Sequence, residues 1–139
     1  MKRFIAGLYI IIPLENKMRT YSFENLASWQ HARLLSVWVY KATLKFPSEE
    51  KYGLVSQMRR AAVSIASNLA EGSSRSTAKD KANFSTMSYS SAVELLNHLI
   101  ISRDLNYIPE DIYDEGRKLV EHQTYLIATL RKTQIPDKE

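Results

Sequence analysis

One stretch, from Tyr52 to Arg75, limits what this chain can fold into more than any other. Apolar residues recur through it at intervals of three and four, the spacing of one helix face. They are Leu54, Met58, Ala61, Ile65 and Leu69. A second, smooth face is formed by Ala62, Ala66 and Ala70. The pattern predicts a helix over 53–71, which Gly72 ends as the residue best suited to the left-handed position after a helix.

A row of polar side chains runs between these two faces, again at intervals of three or four. It consists of Gln57, Arg60, Ser64, Asn68 and Glu71. If Arg60 faces the bundle interior, it needs a carboxylate or carbonyl partner, because an unpaired buried charge is strongly destabilising. Glu94, at mid-height of the next predicted helix, is the candidate partner. We expect a structural polar network that fixes helix register and subunit geometry, and a ligand site is the alternative.

The composition favours a single helical domain. The chain has 139 residues, of which 45% are hydrophobic and 24% charged, as is ordinary for a globular domain with its own core. Only 4 Gly and 4 Pro are present, which leaves little material for β-turns. Cysteine is absent, so disulfides and thiolate metal sites are excluded, and we expect a reducing, cytoplasmic location.

Three further helices are predicted, over 23–46, 77–105 and 109–132. Pro47 ends the first, because the residue before a proline disfavours the helical region. Thr77 is a candidate N-cap for the third helix, and Asn106 tolerates the positive φ that ends it. Pro109 suits the first turn of the fourth helix. With the helix over 53–71 they predict an all-α fold, an antiparallel up-down-up-down four-helix bundle over 21–133.

The first predicted helix is apolar over more than one face, because Leu34 and Trp38 lie outside its main stripe. A helix that is apolar on several sides is buried on several sides, which in a four-helix chain indicates a contact between subunits. We expect that interface to use these two residues together with the smooth face of Ala62, Ala66 and Ala70.

The two ends of the chain differ from the bundle. Residues 1–20 begin with Lys2 and Arg3 and continue with an apolar run shorter than the ~20 residues of a membrane span. We expect an extension from a mis-assigned start codon, with Met18 as the native start. The alternative is an apolar arm that packs on the bundle or on a neighbour. Residues 134–139 are expected to form a flexible tail.

The net charge of +4 raises the question of nucleic-acid binding. A basic rim is conceivable near the loop between the second and third helices, formed by Arg59, Arg75, Lys79 and Lys81. Phosphate binding needs clustered cations of this kind. The modest net charge favours a solvated charged surface instead, and no standard base-reading motif is present.

The sequence offers no catalytic constellation. His31, His98 and His122 fall on three different predicted helices, without a carboxylate at metal-ligand spacing. A phosphate loop, an HExxH sequence and a nucleophile beside a base are all missing. We therefore expect a protein that is not an enzyme, with no metal, cofactor, small-molecule substrate or membrane as a partner.

Three segments of the chain carry a resemblance to one family. They are FENLASWQHARLL, YGLVSQMRRAAVSIASNLAEG and ELLNHLIISRDLNYI. Through them the chain resembles the small bacterial four-helix-bundle proteins called intervening-sequence proteins, some of which are encoded in insertions within large-subunit ribosomal RNA genes. The accessory variability determinant of diversity-generating retroelements looks like a relative. The similarity runs from Phe23 to Leu130.

The resemblance implies a bundle that assembles into a homopentameric barrel, and no established activity for most members. The retroelement relative adds nucleic acid or a reverse transcriptase as a candidate partner. Many relatives carry Arg or Lys at the positions of Asn83 and Thr86. The loss of these cations disfavours nucleic-acid binding by this chain. We expect a non-enzymatic, oligomeric interaction module, with a nucleic-acid-binding accessory factor as the alternative.

Overall fold

The structure is a computed structural model that describes residues 2–11 and 18–135. The described residues form a short hairpin and four α-helices. The helices are α1 (Ala27–Ala42), α2 (Leu54–Ser73), α3 (Ala78–Asp104) and α4 (Glu110–Gln134). Short 3-10 helices at Ser22–Asn25 and Ser48–Glu50 precede α1 and α2. The predicted helical fold is therefore confirmed from residue 22 onwards.

Each helix lies against the next in sequence, and α1 also contacts α4, so the four helices enclose one core. The contacts between α2 and α3 run in opposite directions along the two helices. The hydroxyls of Ser64 and Ser91 are 2.9 Å apart. Met58, earlier in α2, is met by Ser102, later in α3, at 3.5 Å between Oγ and Sδ. Helices α2 and α3 are thus antiparallel to each other.

Most of the apolar face predicted for α2 lies in the core: Met58, Ala61, Ile65 and Leu69 are buried, and Leu54 is partly buried. Val55 and Ala62, which were not assigned to that face, are buried as well. Leu35 and Val39 of α1 and Leu95 and Leu99 of α3 pack against them and are at most 1% exposed. Full burial of an aliphatic side chain contributes about 1.5–3 kcal/mol. None of the described helices is both long enough and apolar enough to cross a membrane.

The end of α1 differs from the prediction. The helix stops at Ala42, although Phe46 was expected to be its last residue. The Thr43 hydroxyl donates to the Val39 carbonyl at 2.8 Å, a local side-chain bond of the kind that competes with regular helix. The chain then turns and buries Phe46. Pro47 therefore lies beyond the end of the helix and does not set it.

The prediction that Gly72 ends α2 is wrong, because the helix continues through it to Ser73 and its φ is not positive. The glycine serves the crossing of two helices instead. A Cβ placed on Gly72 would lie 2.7 Å from the Cβ of Phe84 in α3. The missing side chain therefore lets α3 approach α2 at this level.

Two other predicted helix ends are confirmed. The Thr77 side chain accepts a hydrogen bond from the backbone N–H of Asp80 at 3.1 Å, as an N-cap of α3. Asn106 follows α3 with a φ of 58°, the left-handed conformation expected of it. Pro109 was expected in the first turn of α4, but it is the residue just before the helix, at the N-cap.

Residues 2–11 form a β-hairpin, which the sequence reasoning did not predict. Strand β1 (Lys2–Ile5) pairs antiparallel with β2 (Leu8–Ile11). Ala6 and Gly7 occupy the turn with φ values of 48° and 79°, and positive φ at both central residues matches the twist of a two-residue hairpin. The helices contact one another but not this hairpin in the part of the chain described.

Two sequence predictions concern residues that the structure leaves out in whole or in part. The start at Met18 stays a prediction, since positions 12–17 lie outside the described residues. The expected tail lies outside them from position 136 onwards, and its first residue, Gln134, belongs to α4.

Candidate interaction surface

A row of exposed large apolar side chains lies along the outside of α1 and the turn that follows it. These side chains recur at intervals of three and four, so they share one side of α1 and of the turn after it. They are Leu34, Val37, Tyr40 and Leu44. Leu34 is 67% exposed and Leu44 is 72% exposed. Val63 of α2 lies beside them, lining the same shallow groove. These five residues are called the α1 stripe below.

The stripe exists because α1 is apolar on two opposite sides. Ala32, Leu35 and Val39 fill the core from one side and leave the stripe facing outwards. Scattered apolar side chains on a surface are ordinary, but a contiguous row of them marks an interaction site. Leu34 was predicted in this role, and its exposure is what that role requires.

Among the described residues, only part of the predicted polar row of α2 has side-chain hydrogen bonds. Asn68 donates through Nδ2 to the carbonyl oxygen of Ser64 at 2.9 Å and to its hydroxyl at 3.1 Å. The same hydroxyl is bonded to Ser91 of α3. Gln57, Arg60 and Glu71 face outwards and are exposed. The row is therefore a short α2–α3 link flanked by exposed polar groups.

Glu94 does not pair with Arg60. Its carboxylate lies 3.4 Å from Nε2 of His98, one turn along α3, and its own side chain is 56% exposed. No described residue forms an ion pair with Arg60 within 4.0 Å. The expected pairing therefore needs correction within one chain: an exposed guanidinium is solvated and requires no buried carboxylate.

Two of the predicted interface residues are used within the chain. Ala62 is fully buried, and the Ser36 hydroxyl of α1 donates to its carbonyl oxygen at 3.2 Å. The helix that approaches this smooth face is thus α1 of the same chain, which leaves the Ala62 side chain no surface for a partner. Ala66 and Ala70 are half-buried.

Trp38 also faces another helix of its own chain. Its indole N–H donates to Oε1 of Glu115 at 2.8 Å, and its ring lies over Gly116 of α4. The ring is only half-buried, so its outer edge stays at the surface. Trp38 therefore joins α1 to α4 within the chain, and its use at a subunit interface stays a prediction.

The predicted basic rim is divided between two places. Arg75, Lys79 and Lys81 lie around the α2–α3 loop, with the guanidinium of Arg75 over the ring of Phe84 at 4.6 Å. Arg59 lies in the first half of α2, about 20 Å from that loop at about 1.5 Å per residue. It therefore does not belong to the rim.

Arg59 instead lines a groove between α1 and the start of α2. The groove has a volume of about 580 Å³, and Lys51, Arg60, Tyr40 and Tyr52 line it as well. The guanidinium of Arg59 lies over the ring of Tyr40 at 4.4 Å and donates to the Thr43 hydroxyl at 3.1 Å. The name basic groove is used below for five residues of its lining: Tyr40, Lys51, Tyr52, Arg59 and Arg60.

The sequence reasoning missed the extent of both surfaces. The spacing of Leu34, Val37 and Leu44 was visible in the sequence and would have identified the stripe. The basic groove was harder to find, because only the fold brings Tyr40 of α1 next to the cations at the start of α2. Groups of three or more residues able to hold a metal ion do not occur among the described residues.

Among the described residues, two side chains have shifted pKa values, Arg117 in α4 and Tyr107 after α3. Tyr107 lines a pocket with Leu44 of the α1 stripe. A hydrogen bond to the Tyr113 hydroxyl, at 2.8 Å, and a second to Glu121 raise the pKa of Arg117. Desolvation raises the pKa of Tyr107, and its hydrogen bond to Glu50 adds to the effect. Neither shift creates an acid or base at the candidate surface.

The comparisons with known proteins address the family and the fold. The model of the 23S rRNA-intervening sequence protein family matches residues 24–129. A crystal structure from Bacteroides thetaiotaomicron, of a protein with unknown function from the S23 ribosomal protein family, has a similar fold with a TM-score of 0.69. It is 17% identical, and the match covers 76% of this chain and 99% of that one.

No curated protein matches the chain significantly. The likeness to the solved structure concerns the fold alone, and its protein is described as of unknown function. The family model spans all four helices, from the 3-10 helix before α1 to the last turns of α4. The chain therefore belongs to the 23S rRNA-intervening sequence protein family.

Proposed function

We propose that this protein is a non-enzymatic interaction module that works as a homo-oligomer. The observation that carries the proposal is the α1 stripe, whose large apolar side chains are between 43% and 72% exposed in a single chain. Burying such side chains against a second copy removes apolar area from water, which is the main favourable term in association. The bundle beneath the stripe is closed and supplies a rigid support.

The proposal includes an up-down-up-down bundle and a pentameric ring. The antiparallel contacts of α2 with α3 support the first, and the family resemblance supports the second. A ring needs two different complementary surfaces on each chain. The exposed polar groups of α2, among them Gln57, Arg60 and Glu71, are the candidate second surface, since no side chain of the described residues holds them in place. We place the assembly in the cytoplasm.

Light scattering during size-exclusion chromatography tests the assembly. A pentamer of the 16.0 kDa chain has a mass of about 80 kDa. Leu34→Asp and Leu44→Asp place a charge on the stripe, and we expect each to yield smaller species with unchanged helical circular dichroism. Tyr125→Asp is the matched control, because Tyr125 is 66% exposed on α4, away from the stripe. A monomeric wild-type protein would refute the proposal.

A second candidate function is nucleic-acid binding at the basic groove. The groove brings Lys51, Arg59 and Arg60 together with two exposed tyrosines, and none of these cations is in an ion pair with a described residue. Surfaces that bind single-stranded nucleic acid typically combine cations along the phosphate backbone with aromatic rings on which bases stack.

Fluorescence anisotropy with labelled RNA and DNA, titrated with salt, tests this second function. For single strands, log affinity falls with log salt with a slope of about −0.7 for each phosphate contact. Arg60→Ala and Lys51→Ala should each make that slope less steep if the groove binds phosphates. Lys79→Ala combined with Lys81→Ala tests the predicted rim in the same assay. Binding that does not respond to salt, or no binding, would exclude both surfaces.

A further inference from the structure

Two histidines from different helices meet at the α1–α4 seam. The ring centroids of His31 in α1 and His122 in α4 are 4.8 Å apart, and the ring planes are inclined by 76°. Gln123 is fully buried next to them. Its Nε2 donates to the carbonyl oxygen of Ser28 at 3.0 Å, and its Oε1 is 2.6 Å from Nδ1 of His31.

These hydrogen bonds determine the tautomer of His31. The Ser28 carbonyl can only accept, so the amide nitrogen of Gln123 must face it and the amide oxygen must face His31. That oxygen is an acceptor, so Nδ1 of His31 carries a proton. In the neutral ring, Nε2 then holds the lone pair. A buried carbonyl oxygen on one ring nitrogen is the arrangement that orients metal-binding histidines.

We propose that His31 and His122 together bind one divalent transition-metal ion. Imidazole nitrogens suit Zn²⁺, Cu²⁺ and Ni²⁺, and for a given site Cu²⁺ binds most tightly of these ions. With metal–nitrogen distances of about 2.0–2.1 Å, two imidazoles on one ion have ring centroids about 5 Å apart. At 4.8 Å the two rings are close enough to share one ion once His122 turns a nitrogen towards it.

The two rings differ in mobility in a way that suits such a site. His31 is half-buried and held by Gln123, whereas His122 is exposed and can turn about its side-chain bonds to bring a nitrogen to the ion. No third protein ligand is available among the described residues, so water completes the coordination. The ion would link α1 to α4.

Copper binding to protein without a polyhistidine tag tests the proposal. Titration with Cu²⁺ in a glycine-containing buffer, followed by electron paramagnetic resonance, should show one ion per chain with two imidazole nitrogens. His122→Ala should remove that signal without affecting the fold, because the side chain is exposed. His98→Ala is the control and should keep the signal. Zn²⁺ should compete for the site.

The Gln123→Leu variant tests whether the orientation of the His31 ring affects metal binding. It removes the acceptor that orients His31, and loss of such an outer partner lowers metal affinity by about 10–100-fold. A wild-type spectrum without two imidazole nitrogens, or a His122→Ala spectrum identical to it, would overturn the proposal. If His98→Ala fails to fold, copper-induced broadening of the His31 and His122 ring signals in NMR spectra of the wild-type protein decides the same question.

Discussion

The indole of Trp38 lies directly over Gly116, so that a Cβ added to the glycine would meet ring atom Cη2 at 2.4 Å. The ring cannot easily move aside, because its N–H is bonded to Glu115 at 2.8 Å. This contact joins α1 to α4 on the side of the bundle where the chain closes on itself. It explains why a helix-weakening glycine stands in the second turn of α4.

The first prediction follows from this contact. Gly116→Ala should destabilise the protein by about 1–3 kcal/mol, the usual cost of overpacking. This loss should exceed the gain of about 1 kcal/mol from the better helix propensity of alanine. Urea unfolding followed by circular dichroism measures the change.

The matched control is the same change in a Trp38→Leu background. With the indole removed, Gly116→Ala should be neutral or stabilising, and the double-mutant cycle should show a coupling of about 1 kcal/mol or more. Additive effects of the two substitutions would contradict the contact.

A second glycine gives an independent prediction. Gly72→Ala would place a Cβ 2.7 Å from the Cβ of Phe84, an atom that cannot swing away as the end of a long side chain can. We expect a loss of stability of about 1–3 kcal/mol from the forced separation of α2 and α3. Ser73→Ala, at the next position, is the control, since its hydroxyl bonds only to the Ala70 carbonyl within its own helix. Equal unfolding free energies for the two variants would refute the close crossing.

The two glycines show how far sequence reasoning reaches here. The spacing of apolar residues predicted four helices, because helical periodicity is a local property. It could not assign Gly72, whose role depends on Phe84, a residue brought to it by a different helix. Local chemistry favoured a helix end there, and the packing of α3 overrode it.

The polar residues show the same limit. Glu94 and His98 are one helical turn apart, so their pairing could have been read from the sequence. The long-range partner proposed for Glu94 was chosen by height along the bundle, which does not determine which way a side chain points. The hydrogen bond between Gln123 and His31 joins residues far apart in the chain and had no sequence signal.

The third prediction concerns alkaline pH. Desolvation, reinforced by the hydrogen bond to Glu50 at 3.2 Å, raises the folded-state pKa of Tyr107 above its ordinary value near 10. The neutral phenol is therefore favoured by folding. Its contribution is fully present below the unfolded pKa and is lost as pH rises through the folded pKa.

Urea unfolding at several pH values from about 8 to 11 checks this effect, since the phenol ionises in that range. Wild-type stability should fall with rising pH, and Tyr107→Phe should remove part of that fall. Glu50→Gln should reduce it as well, because it removes the carboxylate that disfavours the ionised phenol. The same pH dependence in wild type and Tyr107→Phe would exclude Tyr107 as its source.

The last prediction separates assembly from folding at Arg60. Because its side chain is exposed and has no ion-pair partner among the described residues, Arg60→Ala should change the stability of a single chain by no more than about 0.5 kcal/mol. If the polar face of α2 meets a second copy, the same variant should weaken the oligomer, seen by light scattering as a dilution-dependent loss of mass. Arg117→Ala is the control, since that guanidinium is occupied by Tyr113 and Glu121 of its own helix. A stable Arg60→Ala protein that assembles like wild type would remove Arg60 from the interface and leave the α1 stripe to carry the assembly.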